Sequence, residues 1–191
     1  MGSFPTTEFP TIPELMLLGG HLLVHARRHC KRYYDPGCTF QSSLMARFKG
    51  QAAYSVDAKG RVAIPAKMRN ALTPEAQGTF TLTKGFEKCI YAYPQDGWKV
   101  KEDEYSQLNV NNRKARHLVR MILMWAEEVS LDGQGRISLP RSLADYAGIG
   151  DRALIIGAMD RIEIWDPEAF EAYLQEQTMD QESLAEEVMG F

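Results

Sequence analysis

The feature that most constrains this chain is a nine-residue segment that occurs twice. The first copy is residues 57–65 (DAKGRVAIP) and the second is residues 132–140 (DGQGRISLP). Both contain an aspartate, a glycine, an arginine and a proline at the same offsets, with aliphatic residues at the sixth and eighth positions. The likeness continues, because residues 85–98 align with residues 157–170. Since each half is too short to bury a good core alone, we expect two equivalent halves that share one core.

Each copy of the segment is predicted to form the tip of a β-hairpin. A strand over residues 51–56 leads into a tight turn, in which the Asp57 carboxylate accepts backbone N–H groups and Gly60 takes the positive φ that closes the loop. Arg61 follows on the outer strand face, so we expect an exposed guanidinium at a rigid corner. The corresponding residues of the second copy are Asp132, Gly135 and Arg136.

The pattern of each half indicates two strands, a short helix, two further strands and a second helix. In the first half, Pro65 ends the hairpin and begins the short helix. Alternating strands follow over residues 79–84 and 89–93. A helix over residues 113–125 links the halves. Its apolar face is predicted to hold Leu118, Ile122 and Trp125, and Met121, Met124 and Trp125 are assigned to packing in the core.

Charge is distributed unevenly along the chain. The formal net charge is −3, but eight acidic residues and no lysine or arginine follow residue 165. Between Met45 and Leu72 there are six basic residues and one acidic residue, so a polyanion can dock near the first copy. The acidic tail is interpreted as a solvated helix face. Mimicry of DNA and contact with a neighbour's basic patch are the alternatives.

Composition argues against several classes of protein. A hydrophobic share of 45% and a charged share of 25% describe a soluble globular chain. Three cysteines that lie apart do not describe a disulfide-stapled secreted domain, so we expect a reducing cytoplasm. Residues 15–26 are too short and too interrupted by glycine and histidine to span a bilayer, and we see no export signal.

Residues 1–44 stand outside the two-copy plan. They are expected to be an N-terminal extension that a misassigned start codon has added upstream of Met45. This segment contains three histidines and two cysteines. Two of the histidines and both cysteines could be imagined as a zinc site, but their spacing fits no common zinc finger, so no metal is expected. The four residues are His25, His29, Cys30 and Cys38.

The doubled segment and its flanks resemble the MraZ family of bacterial transcriptional regulators. The resemblance is carried by DAKGR at 57–61, FKG at 48–50 and EIW at 163–165, and it covers residues 47–173. It implies an α+β fold of two tandem SpoVT/AbrB-like swapped-hairpin β-barrel modules, which form an intramolecular pseudo-dimer with short packing helices. The implied divisions are residues 45–112 for module 1, residues 113–175 for the linking helix and module 2, and residues 176–191 for the acidic tail.

The resemblance also implies a function and the residues that perform it. It implies a cytoplasmic, nucleoid-associated ring of identical subunits that binds short direct repeats in double-stranded promoter DNA and represses its own division and cell-wall gene cluster. No cofactor, metal, membrane or small-molecule substrate is expected. The family's DNA contacts fall on the motif loop, which places them at Arg61, Lys59 and, in the second copy, Arg136. Lys49 occupies a basic position near the start of the family pattern. Local charge adds Arg47, Lys67 and Arg69.

The second copy has lost positive charge relative to the first. Gln134, Ser142 and Ala144 stand where the first copy has Lys59, Lys67 and Arg69. We therefore expect the first half to supply most contacts with phosphates and bases. Contacts with phosphates make the affinity fall steeply with salt, whereas an arginine that forks onto guanine O6 and N7 discriminates by about 1–3 kcal/mol. A ring would multiply such weak contacts along repeated sites.

Two other classes of protein have less support. Asp57 and Asp132 could pair around a metal for phosphoryl chemistry, but the sequence contains no Walker loop, nucleophile elbow or His-Glu metal motif, so an enzyme is not expected. A non-catalytic assembly or partner-binding protein, whose basic hairpin loops form interfaces, is the alternative function. Arg61 itself has a purely structural alternative, because an arginine after a turn glycine often pairs with its neighbouring aspartate.

Overall fold

The computed structural model of the chain describes residues 46–176 and 181–190. The start-codon and zinc interpretations concern residues 1–44, which lie outside this range. The strands are β1 (Phe48–Ser55), β2 (Arg61–Ala63), β3 (Thr79–Lys84), β4 (Ile90–Pro94), β5 (Glu127–Ser130), β6 (Arg136–Ser138), β7 (Arg152–Met159) and β8 (Arg161–Trp165). The α-helices are α1 (Ala66–Arg69), α2 (Gln95–Ser106), α3 (Arg113–Leu123), α4 (Arg141–Ala147), α5 (Pro167–Glu176) and α6 (Gln181–Met189), and a 3₁₀-helix spans Pro74–Ala76.

The strands of the two halves are interleaved in antiparallel sheets, which confirms the predicted α+β class. The larger sheet has the order β1-β7-β8-β4-β3-β5, and β2 pairs with β6 in a separate two-stranded sheet. The first strand of each half therefore pairs with the third strand of the other half, as β1 with β7 and β5 with β3. The second strands pair with each other, and so do the fourth. The pairing pattern has the symmetry of the sequence repeat.

The core is built from both halves, as the length of each half predicted. Phe48 and Phe80 lie with ring centroids 6.4 Å apart, and Ile137 and Leu143 of the second half belong to the same buried cluster. Full burial of such side chains stabilises the fold by about 1.5–3 kcal/mol each. Neither half could retain this cluster without the other, because the apolar side chains of each exchanged strand pack against strands of the other half.

A second, aromatic cluster repeats the same contact in each half. Tyr93 and Trp98 lie 5.7 Å apart between ring centroids, and the equivalent pair, Trp165 and Phe170, lies 5.2 Å apart. In each half the first residue comes from the last strand and the second from the helix that follows it. Pro94 and Pro167, which stand between them in the sequence, lie at or next to the helix start, where a missing N–H costs nothing. The internal alignment therefore corresponds to structural equivalence.

One glycine is required where β1 crosses to the other half. Gly157 of β7 pairs with Gly50 of β1, and a Cβ at Gly157 would overlap the backbone of Phe48 and Lys49. Gly50 has a φ of +90°, a conformation that side chains disfavour. The two strands can approach this closely because neither carries a side chain at this pair.

The assignment of the α3 methionines to the core was wrong. The helix ends at Leu123, two residues earlier than expected, and has no buried residue. Met121 is 45% exposed and Met124 is 65% exposed, whereas Trp125 is partly buried against the main core. The helix is joined to the sheet by a hydrogen bond from Thr83 Oγ1 to the Ile122 carbonyl at 3.0 Å. Since none of its residues is buried, the apolar face of the helix is only partly covered.

Candidate nucleic-acid interface

Each copy of the repeated segment forms a tight turn closed by its own aspartate. Asp57 Oδ1 accepts hydrogen bonds from the backbone N–H groups of Lys59 at 2.9 Å and Arg61 at 3.0 Å. The Gly60 N–H donates to the Asp57 carbonyl at 2.8 Å, and Gly60 has a φ of +72°. In the second copy, Asp132 and Gly135 make the same contacts, with Gly135 at a φ of +74°. Turn chemistry thus accounts for both aspartates and both glycines.

Strand pairing brings the two turns together. β2 and β6 are antiparallel, with Val62 opposite Ile137. Beyond the strands, the Ile64 N–H donates to the Gly135 carbonyl at 3.0 Å, and the Leu139 N–H donates to the Gly60 carbonyl at 2.8 Å. Each hairpin tip is therefore bonded to the strand that follows the other tip. We call the two turns, residues 57–61 and 132–136, the paired tips.

Four charged side chains meet between the paired tips. Arg61 Nη2 lies 2.7 Å from Asp57 Oδ2, and its Nη1 lies 3.7 Å from Asp132 Oδ2. Arg136 repeats this arrangement, with Nη2 at 2.7 Å from Asp132 Oδ2 and Nη1 at 3.5 Å from Asp57 Oδ2. The side-chain hydrogen bond from Arg61 is the largest cause that lowers the pKa of Asp57 to about 2, and Arg136 has the same effect on Asp132. Both carboxylates are ionised at neutral pH, so the quartet has no net formal charge.

The expectation of an exposed Arg61 guanidinium was therefore wrong. Its side chain is 32% exposed, its Nε donates to Asp57 Oδ2 at 2.8 Å, and its Nη2 lies 2.7 Å from the same oxygen. Its nearest partner is its own Asp57, the local pairing that the structural alternative predicted, and the pairing of β2 with β6 adds the carboxylate of Asp132 at 3.7 Å. An arginine held in this way can still present the edge formed by Nη1 and Nη2, because a guanidinium carries five N–H donors. The pair of N–H donors that Arg61 can offer to a base is thus held in one orientation.

Arg69 belongs to the second tip, although it lies in the first half. Its Nε donates to the Ile64 carbonyl at 3.0 Å, and its guanidinium lies over Gly135, where an added Cβ would come within 2.6 Å of it. Gly135 is buried beneath this side chain. From the local charge, Arg69 was assigned to the first tip, but it covers the backbone of the second tip. Sequence proximity to the first copy did not indicate this, because the chain crosses to the other half after β2.

The equivalent place at the first tip is open. Ala144 stands where the repeat would put an arginine, and a depression of about 300 Å³ lies between the first tip and α4. Lys59 and Arg141 line this depression, and the Arg141 side chain is 95% exposed with Asp145 at 3.8 Å. Arg141 was missed from sequence because its counterpart in the first copy is Ala66. The comparison of the two copies considered only the positive charges that the second copy lacks. Including the positive charges that it has gained would have identified Arg141.

The remaining predicted cations fall into two groups. Lys59 and Lys67 are exposed, the first on the paired tips and the second on α1. Arg47 and Lys49 are also exposed, but they lie at the other end of β1. Lys49 lies six positions before Ser55, the last residue of that strand, which corresponds to about 20 Å. The structure therefore does not gather all the predicted DNA-binding residues at one place.

Two further observations concern the described part of the chain alone. Within residues 46–176 and 181–190, no cluster of three or more histidine, cysteine, aspartate or glutamate side chains is suited to a metal ion. In the same residues no helix combines the length and apolar character needed to cross a membrane.

The fold and the site define a duplicated α+β protein, in which two hairpin units exchange strands and pair their tips around two aspartates and two arginines. The family described as "MraZ protein, putative antitoxin-like" matches residues 47–121 and again residues 122–191. The chain belongs to the MraZ family, which confirms the resemblance seen in its sequence.

Similar proteins carry the name transcriptional regulator MraZ. That of Natranaerobius thermophilus is 42% identical over 144 residues, which are 75% of this chain and 98% of the relative. Those of Clostridium beijerinckii and Acetivibrio thermocellus are each 40% identical over 141 residues, which are 74% of this chain and 96% of the relative.

Proposed function

We propose that the chain is a sequence-specific DNA-binding transcriptional regulator whose paired tips contact DNA. The observation that carries the proposal is the meeting of both copies of the motif at one point, with exposed cations beside them. Because the quartet of Asp57, Arg61, Asp132 and Arg136 is neutral, attraction to phosphates comes from the cations around it. Lys59 and Arg141 flank the first tip, and Lys67 lies on the helix whose arginine covers the second.

Arg61 and Arg136 are proposed to read bases from this neutral quartet. Each guanidinium is held by the aspartate of its own tip. It also lies within 4 Å of the aspartate of the other tip. A donor group that is already oriented loses little freedom when it binds, so more of the contact energy appears as affinity. Specificity would then come from the arginines, and salt-sensitive affinity from the lysines and Arg141. Arg47 and Lys49 are proposed to contact phosphates farther along the duplex.

The strand exchange favours the swapped-hairpin interpretation of the fold. β1 pairs with β7, and β5 pairs with β3, so each half receives the first strand of the other. We propose that this is a pseudo-dimer of two SpoVT/AbrB-like modules within one chain. The two modules present their tips as a unit, and the duplication thereby replaces a symmetric dimer.

The regulator is proposed to work in the cytoplasm, at the nucleoid, as a ring-shaped homo-oligomer. One pair of tips offers little contact area, whereas several identical pairs can engage short direct repeats at the same time and multiply weak contacts. The proposed target is the promoter of its own division and cell-wall gene cluster, which it would repress. The relatives named above are called transcriptional regulators, which supports the general role.

The proposal is tested by titrating the full-length chain with its own upstream promoter DNA and with a scrambled duplex, at two salt concentrations. Lys59→Gln gives the first tip the residue of the second, and it should weaken promoter binding and reduce the salt slope of log K by about 1. Lys99→Gln, which removes an exposed charge from α2, is the control. Arg61→Lys keeps the charge but loses the fork, so it should reduce the preference for the promoter more than the affinity for scrambled DNA.

Equal, weak binding of both duplexes would overturn the proposal. So would unchanged binding by Lys59→Gln and Arg61→Lys. If these variants lost self-association but kept their DNA affinity, the assembly or partner-binding function would be favoured instead.

A further inference from the structure

We propose that the groove between α2 and α3 of one copy binds the acidic C-terminal helix α6 of a second copy. This inference rests on the homo-oligomer proposed above, for which it names the contact. It assigns a role to two features that DNA binding at the tips leaves unused: the exposed apolar side of α3, and the amphipathic tail. The contact would be head-to-tail, because the groove and the helix are different surfaces.

The groove is open and mainly apolar. It has a volume of about 370 Å³ and lies between the end of α2 and the middle of α3. Val110 on the connecting segment is 69% exposed and Leu123 is 43% exposed, although both are aliphatic. Exposed apolar side chains that share one concave surface indicate a binding site. The apolar lining residues are Tyr105, Leu108, Val110, Ala115, Val119 and Leu123.

The rim of the groove is basic. α3 contains four arginine or lysine residues and no acidic residue, and within the described residues none of these four forms an ion pair. Arg116 and Arg120, one turn apart, line the groove directly. Arg116 Nη1 donates to the Val110 carbonyl at 2.6 Å, which holds its guanidinium at the rim. Glu102, the acidic residue of the lining, already accepts a hydrogen bond from Trp98 Nε1 at 2.8 Å. The rim therefore favours an acidic ligand.

Helix α6 has the complementary pattern. Its nine residues, QESLAEEVM, include three glutamates and no basic residue. Leu184 and Val188 are four positions apart and therefore share one face. Glu187, three positions after Leu184, lies beside that face, whereas Glu182 and Glu186 lie on the opposite side. The apolar groups can enter the groove while the Glu187 carboxylate meets Arg116 or Arg120. We thus favour contact with a neighbour's basic patch over the solvated helix face expected from the sequence.

The occupant is a second copy because α6 has too little packing of its own. Helices shorter than about 12–15 residues are marginal in water unless an apolar face is packed. In one copy, Leu184 remains 39% exposed and Val188 78% exposed, while the groove stays open. Docking into another chain buries both surfaces at once. A head-to-tail contact of this kind closes into a ring when the rotation between copies is suitable.

Charge reversal tests the contact. Sedimentation velocity at one protein concentration is used to compare the full-length chain with a groove variant, Arg116→Glu/Arg120→Glu, and a tail variant, Glu187→Lys. Each variant alone should sediment as a monomer. An equimolar mixture should recover the oligomer, because each reversed groove then meets a reversed tail. Glu168→Lys/Glu171→Lys, which reverses two exposed charges on α5, is the control and should leave assembly unchanged.

A chain that ends at residue 180 gives an independent test, since it should be monomeric. An oligomer that survives this truncation overturns the inference, and so does a mixture of the two variants that stays monomeric. If a single chain that carries all three changes recovered the oligomer, while the mixture did not, α6 would bind its own copy and the inference would also be overturned. Thermal melting establishes that each variant is folded. DNA titration of the same samples keeps a failure of this contact distinct from a failure of the paired tips.

Discussion

Gly135→Ala should destabilise the protein more than Gly60→Ala, although the two glycines occupy equivalent turns. Both have a φ above +70°, where an alanine costs about 1–2 kcal/mol. At Gly60 the new Cβ would lie at an ordinary 3.6 Å from the Leu139 carbonyl. At Gly135 it would come within 2.6 Å of the Arg69 guanidinium and displace it. The hydrogen bond from Arg69 to the Ile64 carbonyl is then lost, at about 1–2 kcal/mol for a partly exposed charged donor.

Urea unfolding monitored by tryptophan fluorescence would measure this difference at one protein concentration. We expect a loss of about 1–2 kcal/mol for Gly60→Ala and about 2–4 kcal/mol for Gly135→Ala, with equal m-values. A double-mutant cycle isolates the cause, since Arg69→Ala should make Gly135→Ala less costly by about 1–2 kcal/mol and leave Gly60→Ala unchanged. Equal losses at both glycines, with no coupling to Arg69, would refute the assignment of Arg69 to the second tip.

Three further measurements test the structure. The pKa of Asp57 and of Asp132 is lowered from 3.8 to about 2. Their contribution to the stability of the fold should therefore be complete above about pH 4 and disappear toward pH 2. In that window, Asp57→Asn should make the free energy of unfolding in urea less dependent on pH. Leu82→Ala in the buried core should cost about 2–5 kcal/mol in the same assay, whereas Leu174→Ala, at 53% exposure, should cost under about 0.5 kcal/mol. Burial raises the pKa of the Cys89 thiol, so peptide mapping after iodoacetamide treatment should find Cys89 modified in urea and unmodified in the native protein.

The fold class and the order of strands and helices could be predicted because their signals are local. Alternation within strands, prolines at helix starts and the aspartate–glycine turns each depend on residues a few positions apart. The linking helix shows the limit of such signals. Its periodicity indicated an apolar face, but periodicity cannot say whether a neighbour in the same chain covers that face. Met121 and Met124 are exposed, and no residue of the helix is buried.

The structure brings the two predicted hairpin tips together, whereas the contacts between their side chains were not predicted from the sequence. Arg61 was identified from its place after the turn glycine, yet its pairing with Asp132 needed the register of β2 against β6. Arg141 was missed because the first copy has alanine at the equivalent position. Charge was counted along the chain, whereas Arg69 of the first half lies at the second tip and Arg141 of the second half lies beside the first.

The sequence by itself determined the duplication, the two turns and the membership of the family, because each is written in residue types at fixed short spacings. The tertiary structure decided which residues meet. Strand exchange placed Arg69 over Gly135, brought four charged side chains together and left a depression beside Lys59. These contacts depend on strand register between residues far apart in the chain, and a one-residue shift would change every one of them without altering any local signal.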